Sequence, residues 1–238
     1  MTVVFLHPVG LDGECYQFLT SAALAGSVRY NCLWHGDRAR PASRLTIETM
    51  AGDVLANVAG MLDLVGVSMG GHVAQRIAMT HPGRVRSLLI TSGINDERSG
   101  QARSEIGEMV RRLGMEAVVP WALDRWFTKR ALGQPDHPAV TYVTDRLLRN
   151  SAEQFAAGWD ALAGPKPSPA EQAASLTMPC TVLHSDDDNS TLDSRRQLAE
   201  LLPRGRLVTC PGPHMVQLEE PAAFENAVLE HLAWAGSR

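Results

Sequence analysis

The 238-residue sequence has no long apolar run. The longest reach about eight residues, against the ~20 that a membrane-spanning helix needs, so no membrane partner is expected. Its opening residues, MTVVFLHPVG, contain neither a basic segment nor a small-residue cleavage site, and no secretory signal is expected there. Positive charge is not in excess either. The 22 Lys and Arg against 26 Asp and Glu leave a formal charge of -4, which argues against nucleic acid or an anionic surface as the main partner. The 4 cysteines, Cys15, Cys32, Cys180 and Cys210, are scattered, with no C-x-x-C and no metal-like cluster. They are expected to be buried thiols in a reducing compartment, which places the protein in the cytoplasm without a metal site. No internal repeat or low-complexity tract is present.

What the chain does contain is a corner. In LDLVGVSMGGHVAQRIA, residues 62–78, a short branched apolar run suited to a buried parallel strand leads into Ser68 and then into helical spacing of Val73, Ala74, Ile77 and Ala78. Gly66, Gly70 and Gly71 remove the Cβ atoms that would keep the helix from closing onto the strand. A G-x-S-x-G segment is by itself only a tight turn. Between a strand and a helix it is the arrangement that lifts a nucleophilic serine clear of its surroundings.

Strand-like runs recur at Val3–His7, Val28–Trp34, Leu62–Val67, Val85–Thr91, Cys180–Ser185 and Arg206–Cys210. Helical patterns at Glu14–Leu24, Ile47–Gly60, Gly70–Thr80, Leu192–Leu202 and Ala222–Trp234 separate most of them. The alternation predicts an α/β fold with a mainly parallel sheet and helices on both faces. Residues 96–172 hold helical patterns but no strand. They are expected to form a helical cap inserted between core segments 1–95 and 173–238, with the Pro- and Gly-rich stretch 164–172 as its return linker.

A serine nucleophile needs a base and an acid that orients the base. On a sheet of this kind they follow the serine in the order acid, then histidine. His214, in PGPHMVQLEEP, comes after a predicted strand and before a helix, at the sheet edge where sites form in open α/β folds. Of the other histidines, His7 and His35 follow strands but precede the serine, His72 lies on the helix after it, and His81, His137 and His231 read as surface or helix-end residues. The acid is expected after the preceding strand, where Asp186, Asp187 and Asp188 are all available. Three adjacent carboxylates are costly to bury together, so one turns inward and the others stay solvated. Spacing from the strand favours Asp188, with the other two as alternatives.

With GVSMGG around Ser68, HPGRVRSLLI at 81–90, HSDDDNST at 184–191 and PGPHMVQLEEP at 211–221, the chain resembles the α/β-hydrolase superfamily. Within it the chain looks most like 3-oxoadipate enol-lactonases and related esterases, and DRWFTKRAL at 124–132 resembles the start of their cap. The resemblance implies an acid three residues after the small residue that closes the strand; counted from Ser185, that is Asp188. It also implies an oxyanion hole from the amide after the nucleophile, Met69, and one from the loop LHPVGLDGECY, where the donor position is Val9. Pro8 departs from the family pattern but is not itself the donor. The family's first two strands have no counterpart before Val3, so a sheet shortened at the amino terminus is expected. Val28–Trp34 then becomes an edge strand, covered by the Gly36–Arg44 loop or by a second copy in a homodimer.

Three tryptophans of the cap, Trp121, Trp126 and Trp159, are candidates for pocket walls or for the cap's own core. Arg125 is a candidate to hold a substrate carboxylate, unless Asp124 neutralises it. The expected activity is a cofactor-independent serine hydrolase cleaving a small ester or lactone through an acyl-enzyme. The alternatives are C–C bond, thioester or amide hydrolysis on the same triad, or a ligand-binding protein derived from such an enzyme.

Overall fold

The computed structural model describes residues 1–91, 100–188 and 190–237. Six strands form one sheet: β1 (Thr2–Leu6), β2 (Val28–Tyr30), β3 (Leu62–Gly66), β4 (Val85–Ile90), β5 (Cys180–Asp187) and β6 (Gly205–Pro213). Their order is β2-β1-β3-β4-β5-β6 and every neighbouring pair is parallel. All six therefore end on the same edge. The central strands are apolar because both faces are covered, and β3 is buried at every position. Its one charge, Asp63, is held by Ser87 Oγ at 2.5 Å and Arg86 Nη2 at 2.7 Å at the opposite end of the sheet from that edge.

Helices α1 (Ile47–Asn57) and α2 (Met69–Thr80) follow the first strands. Thr46 starts α1 with a reciprocal cap to Thr49. The start of α2 is set by close approach. A Cβ on Gly70 would collide with the Leu6 carbonyl of β1, and one on Gly66 would meet Gly70 O at 2.5 Å, so the first turn of α2 lies directly on β1 and β3.

Between β4 and β5 the described residues contain helices only: α3 (Gly100–Leu113), α4 (Met115–Trp126), α5 (Lys129–Leu132), α6 (Pro138–Leu148), α7 (Ala152–Ala163) and α8 (Pro169–Ser175). The expected start of the cap, residue 96, lies outside the described residues. Part of the expected return linker is helix α8 instead, because Ser168 and Glu171 form a capping box that nucleates it. Helices α9 (Leu192–Leu201), α10 (Val216–Glu219) and α11 (Pro221–Gly236) complete the core.

Two other elements and one side chain differ from their sequence patterns. Glu14–Leu24 is not one helix but two short 3-10 turns, Gly13–Tyr16 and Ala22–Leu24. Asp12 and Ser21 accept from the backbone of Glu14 (3.0 Å) and Ala23 (3.3 Å), and such side chains favour turns over a continuous helix. Strand β2 stops at Tyr30, because the Cys32 amide donates to His7 Nε2 (3.0 Å) rather than to a ladder, and Trp34 and Gly36 turn the chain at φ 55 and 58. Last, His231 is fully buried on α11 rather than at the surface, its Nδ1 2.8 Å from Thr181 Oγ1.

Arg38 ties the loop after β2 to the strand's end and to α1, reaching Asn31 O (3.2 Å) and Asp53 Oδ1 (2.8 Å). With β2 only three residues long, the sheet-edge argument for a homodimer narrows to Val28–Tyr30, and short edge strands are one way that sheets avoid pairing. The 4 cysteines are buried and free. Among the described residues no helix is long and apolar enough to cross a membrane, and no group of three or more His, Cys, Asp or Glu could hold a metal ion.

The Gly70 contact makes a stability prediction. Gly70→Ala forces backbone against backbone and should cost about 3 kcal/mol in urea unfolding. Gly52→Ala, in the exposed middle of α1 with nothing within 4 Å of the added methyl, should gain about 0.5–1 kcal/mol. Similar effects at the two positions would remove close approach as the constraint.

Candidate active site

Ser68 sits at the carboxyl edge of the sheet, between β3 and α2, with φ 54 and ψ -119. This is a strained conformation for a residue with a side chain and costs about 1–3 kcal/mol. The tight turn around it explains why it persists. Gly70 N donates to Val67 O (2.9 Å), Gly71 N donates to Ser68 O (2.9 Å), and the Ser68 amide donates to Thr91 Oγ1 (3.3 Å). The next residue, Met69, opens α2, so its N–H is among the four that the helix leaves without an internal partner.

His214 follows β6 and Asp188 follows β5. The two strands are neighbours, and Ser185 Oγ donates to Pro213 O (2.9 Å), fixing one loop against the other. His214 Nδ1 lies 2.8 Å from Asp188 Oδ1. The Asp188 side chain is 5% exposed, whereas Asp186 and Asp187 face solvent. Burial alone would raise the Asp188 carboxyl. The charge and hydrogen bond of His214, a bond from Ser190 Oγ (2.6 Å) and the Arg195 guanidinium at 3.6 Å outweigh it and hold the carboxyl well below the usual range. An ionised Asp188 accepts only, so Nδ1 of His214 carries the proton and Nε2 is left as the basic nitrogen.

The loop after β1 carries Val9, which is buried. Behind it, His7 is buried and its pKa is lowered to about 4 by that burial, against the pull of the Pro8 carbonyl. Its Nδ1 donates to Pro8 O (2.8 Å) and its Nε2 accepts from Cys32 N, so the ring is a neutral brace. His35 packs beside it, 5.1 Å between ring centroids, and burial lowers it to about 3.

In the cap, Trp121, Phe155 and Trp159 form an edge-to-face cluster, with Trp121 6.3 Å from Trp159 and Phe155 6.4 Å from Trp159. The Arg125 guanidinium lies over the Trp121 ring at 5.5 Å, while Asp124 pairs with Lys129. Trp126 is buried, and its carbonyl accepts from Met215 N (3.1 Å), joining α4 to the residue after His214. A contact that sequence reading missed reinforces this junction. Glu219 of α10, its side chain 1% exposed, accepts from Thr128 N (3.0 Å) and Thr128 Oγ1 and lies 3.5 Å from Arg130. Partners some 90 positions apart leave no local pattern in the sequence.

A cavity of about 310 Å³ opens elsewhere, between α1, α2 and α7, lined by Arg44, Ile47, His72, Arg76, Ala161 and Lys166 among others. Ser68, Asp188 and His214 do not line it.

The sequence matches the profile of the Alpha/beta hydrolase family over residues 3–227. The chain belongs to the alpha/beta hydrolase family. It is 26% identical over 208 residues to 3-oxoadipate enol-lactonase 2 of Acinetobacter baylyi, covering 84% of this chain and 75% of that one. Among solved structures it resembles the enol-lactonase from Burkholderia xenovorans (TM-score 0.86, 24% identity, 97% of this chain and 90% of that chain). It also resembles a thermophilic esterase from Thermogutta terrifontis (TM-score 0.84, 22% identity, 99% and 90%). These structural likenesses concern the fold. As an alpha/beta hydrolase the protein is a hydrolytic enzyme, and its six parallel strands with an inserted set of helices are a form of that fold.

The Asp188 environment predicts a pH dependence of stability. A carboxyl whose folded value lies below its unfolded value of about 3.9 contributes fully above that pH and loses its contribution as pH falls toward the folded value. Urea unfolding of the wild type and Asp188→Asn should therefore differ by about 2–3 kcal/mol at pH 7, with the gap narrowing below about pH 4. A gap that is constant with pH would contradict the ionised, buried state.

Proposed function

We propose that Ser68, His214 and Asp188 act as a catalytic triad that hydrolyses a small ester or lactone through an acyl-enzyme. The observation that carries this reading is the 2.8 Å contact between His214 Nδ1 and the buried Asp188 carboxylate, at the sheet edge where the strained Ser68 also lies. Ser68 Oγ attacks the carbonyl carbon while His214 Nε2 takes its proton, and Asp188 stabilises the imidazolium that results. The N–H groups of Val9 and Met69 hold the oxygen that becomes negative. Collapse of this intermediate breaks the C–O bond, and His214 returns the proton to the leaving oxygen. In a lactone that oxygen stays tethered to the acyl group. Water then attacks the acyl-enzyme, giving a proton to His214; the C–O bond to Ser68 breaks, His214 returns the proton to Ser68 Oγ, and the acid leaves. These steps use protein groups and water alone.

The kinship with an enol-lactonase supports a cyclic or small ester as substrate, and Trp121, Trp126, Trp159 and Arg125 are the cap residues we propose to contact it. Four buried free thiols support a cytoplasmic location.

A panel of small lactones, p-nitrophenyl esters and acyl thioesters, with fluorophosphonate labelling alongside, tests the proposal. Ser68→Ala should lose several powers of ten in kcat and all labelling while remaining folded. Asp188→Asn should lose about 10⁴-fold in kcat by favouring the wrong His214 tautomer, whereas Asp186→Asn and Asp187→Asn leave rates close to wild type. Turnover that survives Ser68→Ala would end this mechanism. Binding without an acyl burst in the wild type would point to a receptor.

A further inference from the structure

The cap does more than cover the sheet edge; it grips the loop that carries Val9. Asp12, three residues beyond Val9, is buried, and its carboxylate is shared among three residues on two elements. Oδ1 accepts from the Glu14 amide (3.0 Å), where it starts the first 3-10 turn, and from the Tyr142 hydroxyl of α6 (2.8 Å). Oδ2 lies 2.7 Å from Nε of Arg146, one turn further along α6, and Arg146 also donates from Nη2 to Gly36 O (3.1 Å). Just past α6, Asn150 Nδ2 donates to Gly10 O (2.8 Å). Gly10, at φ 76, has no room for a Cβ, which would collide with the Phe155 ring of α7. Gly158 of α7 is likewise closed over the Val9 side chain, its absent Cβ lying 2.6 Å from Val9 Cγ2. Val9, Gly10 and Asp12 are thus each fixed from the cap side, by packing, a hydrogen bond and an ion pair.

We propose that Asp12 is a positioning residue for the oxyanion hole: held by Tyr142 and Arg146 of the cap, it fixes the peptide at Val9 that donates to the developing oxyanion. This rests on the serine-hydrolase reading above. A donor in such a hole acts only if it already stands at hydrogen-bond distance from where the oxygen will be, so the loop must be rigid before substrate arrives. The contacts on the core side brace His7 and Pro8, at the start of the loop. At Gly10 and Asp12, beyond the donor, the cap supplies the restraint. Burial raises the Tyr142 hydroxyl well above its ordinary value and keeps it a donor. The Asp12–Arg146 pair is buried on both sides, so loss of either charge leaves the other uncompensated and the loop free to shift.

The test is the kinetics of fluorophosphonate labelling, with saturation giving separate affinity and bond-forming constants, together with ester kcat and KM. Asp12→Asn and Tyr142→Phe should each slow bond formation, Asp12→Asn by about 10- to 100-fold and Tyr142→Phe by less, with reagent affinity and KM little changed. Affinity for a trifluoromethyl ketone, which forms the oxyanion on Ser68, should fall by the same factor as kcat/KM. The double variant should lose less than the product of the single losses, because both act through one loop. Arg146→Lys, which keeps the charge, should recover part of what Arg146→Met loses. Tyr142→Phe removes one hydroxyl and leaves the ion pair whole, so it reports even where Asp12→Asn fails to fold. Folded variants with wild-type labelling and trifluoromethyl ketone affinity, or losses confined to KM, overturn the proposal. A wild-type chain that resists labelling overturns the serine-hydrolase reading and this one with it, whereas normal wild-type labelling with unaffected variants overturns this one alone.

Discussion

The structure turns on the contact between the first turn of α2 and the carbonyl end of β1. Because Gly70 has no side chain, the helix starts against Leu6 rather than a Cβ's width away. Three consequences follow from that one approach. The chain has to reverse sharply at Ser68, which takes a positive φ. The first turn of α2 opens beside the loop that leaves β1, so the amides of Met69 and Val9 come from adjoining segments. And β1 and β3 stay in register along their whole length, Thr2 with Leu62 through Leu6 with Gly66, which keeps both loops at the same height above the sheet.

Two buried carboxylates then join the cap to this platform from different sides. Asp12 reaches α6 from the loop after β1, and Glu219 of α10 reaches the segment between α4 and α5. Neither is a surface ion pair of the kind that contributes little. Each is satisfied by several donors, as a buried carboxylate must be, and each lies within five residues of a proposed catalytic group: Val9 for one, His214 for the other. Two of the polar ties between the layers thus fall close in the chain to proposed catalytic groups.

Much of this was legible in the sequence. The six strands, the corner at Ser68 and the helical insertion each leave a local signal, because strand burial, glycine placement and helical spacing act over a few residues. His214 and Asp188 could be named from their places after strands, and the structure puts them in contact. What was not legible depends on partners distant in the chain. The division of Glu14–Leu24 into two turns follows from Asp12 and Ser21 side chains competing with the helix. The early end of β2 follows from a bond between Cys32 and His7, and the buried place of His231 depends on Thr181. The clamps at Asp12 and Glu219 pair residues about 90 to 130 positions apart, and nothing in the local pattern around either carboxylate announces them. The contacts of Trp121, Trp126 and Arg125 have the same character, since composition marks a cluster but only packing shows that Arg125 stacks on Trp121 and that the Trp126 carbonyl accepts from Met215.

The Glu219 contact bears on how firmly the inserted helices are held to the core. With α6 held through Asp12 and the α4–α5 junction held through Glu219, the cap cannot swing open as a door on a single hinge. Releasing one attachment sets a carboxylate free in the seam while the other still holds. Opening the seam at either point therefore leaves a buried carboxylate without its donors, and that cost opposes separation of the two layers.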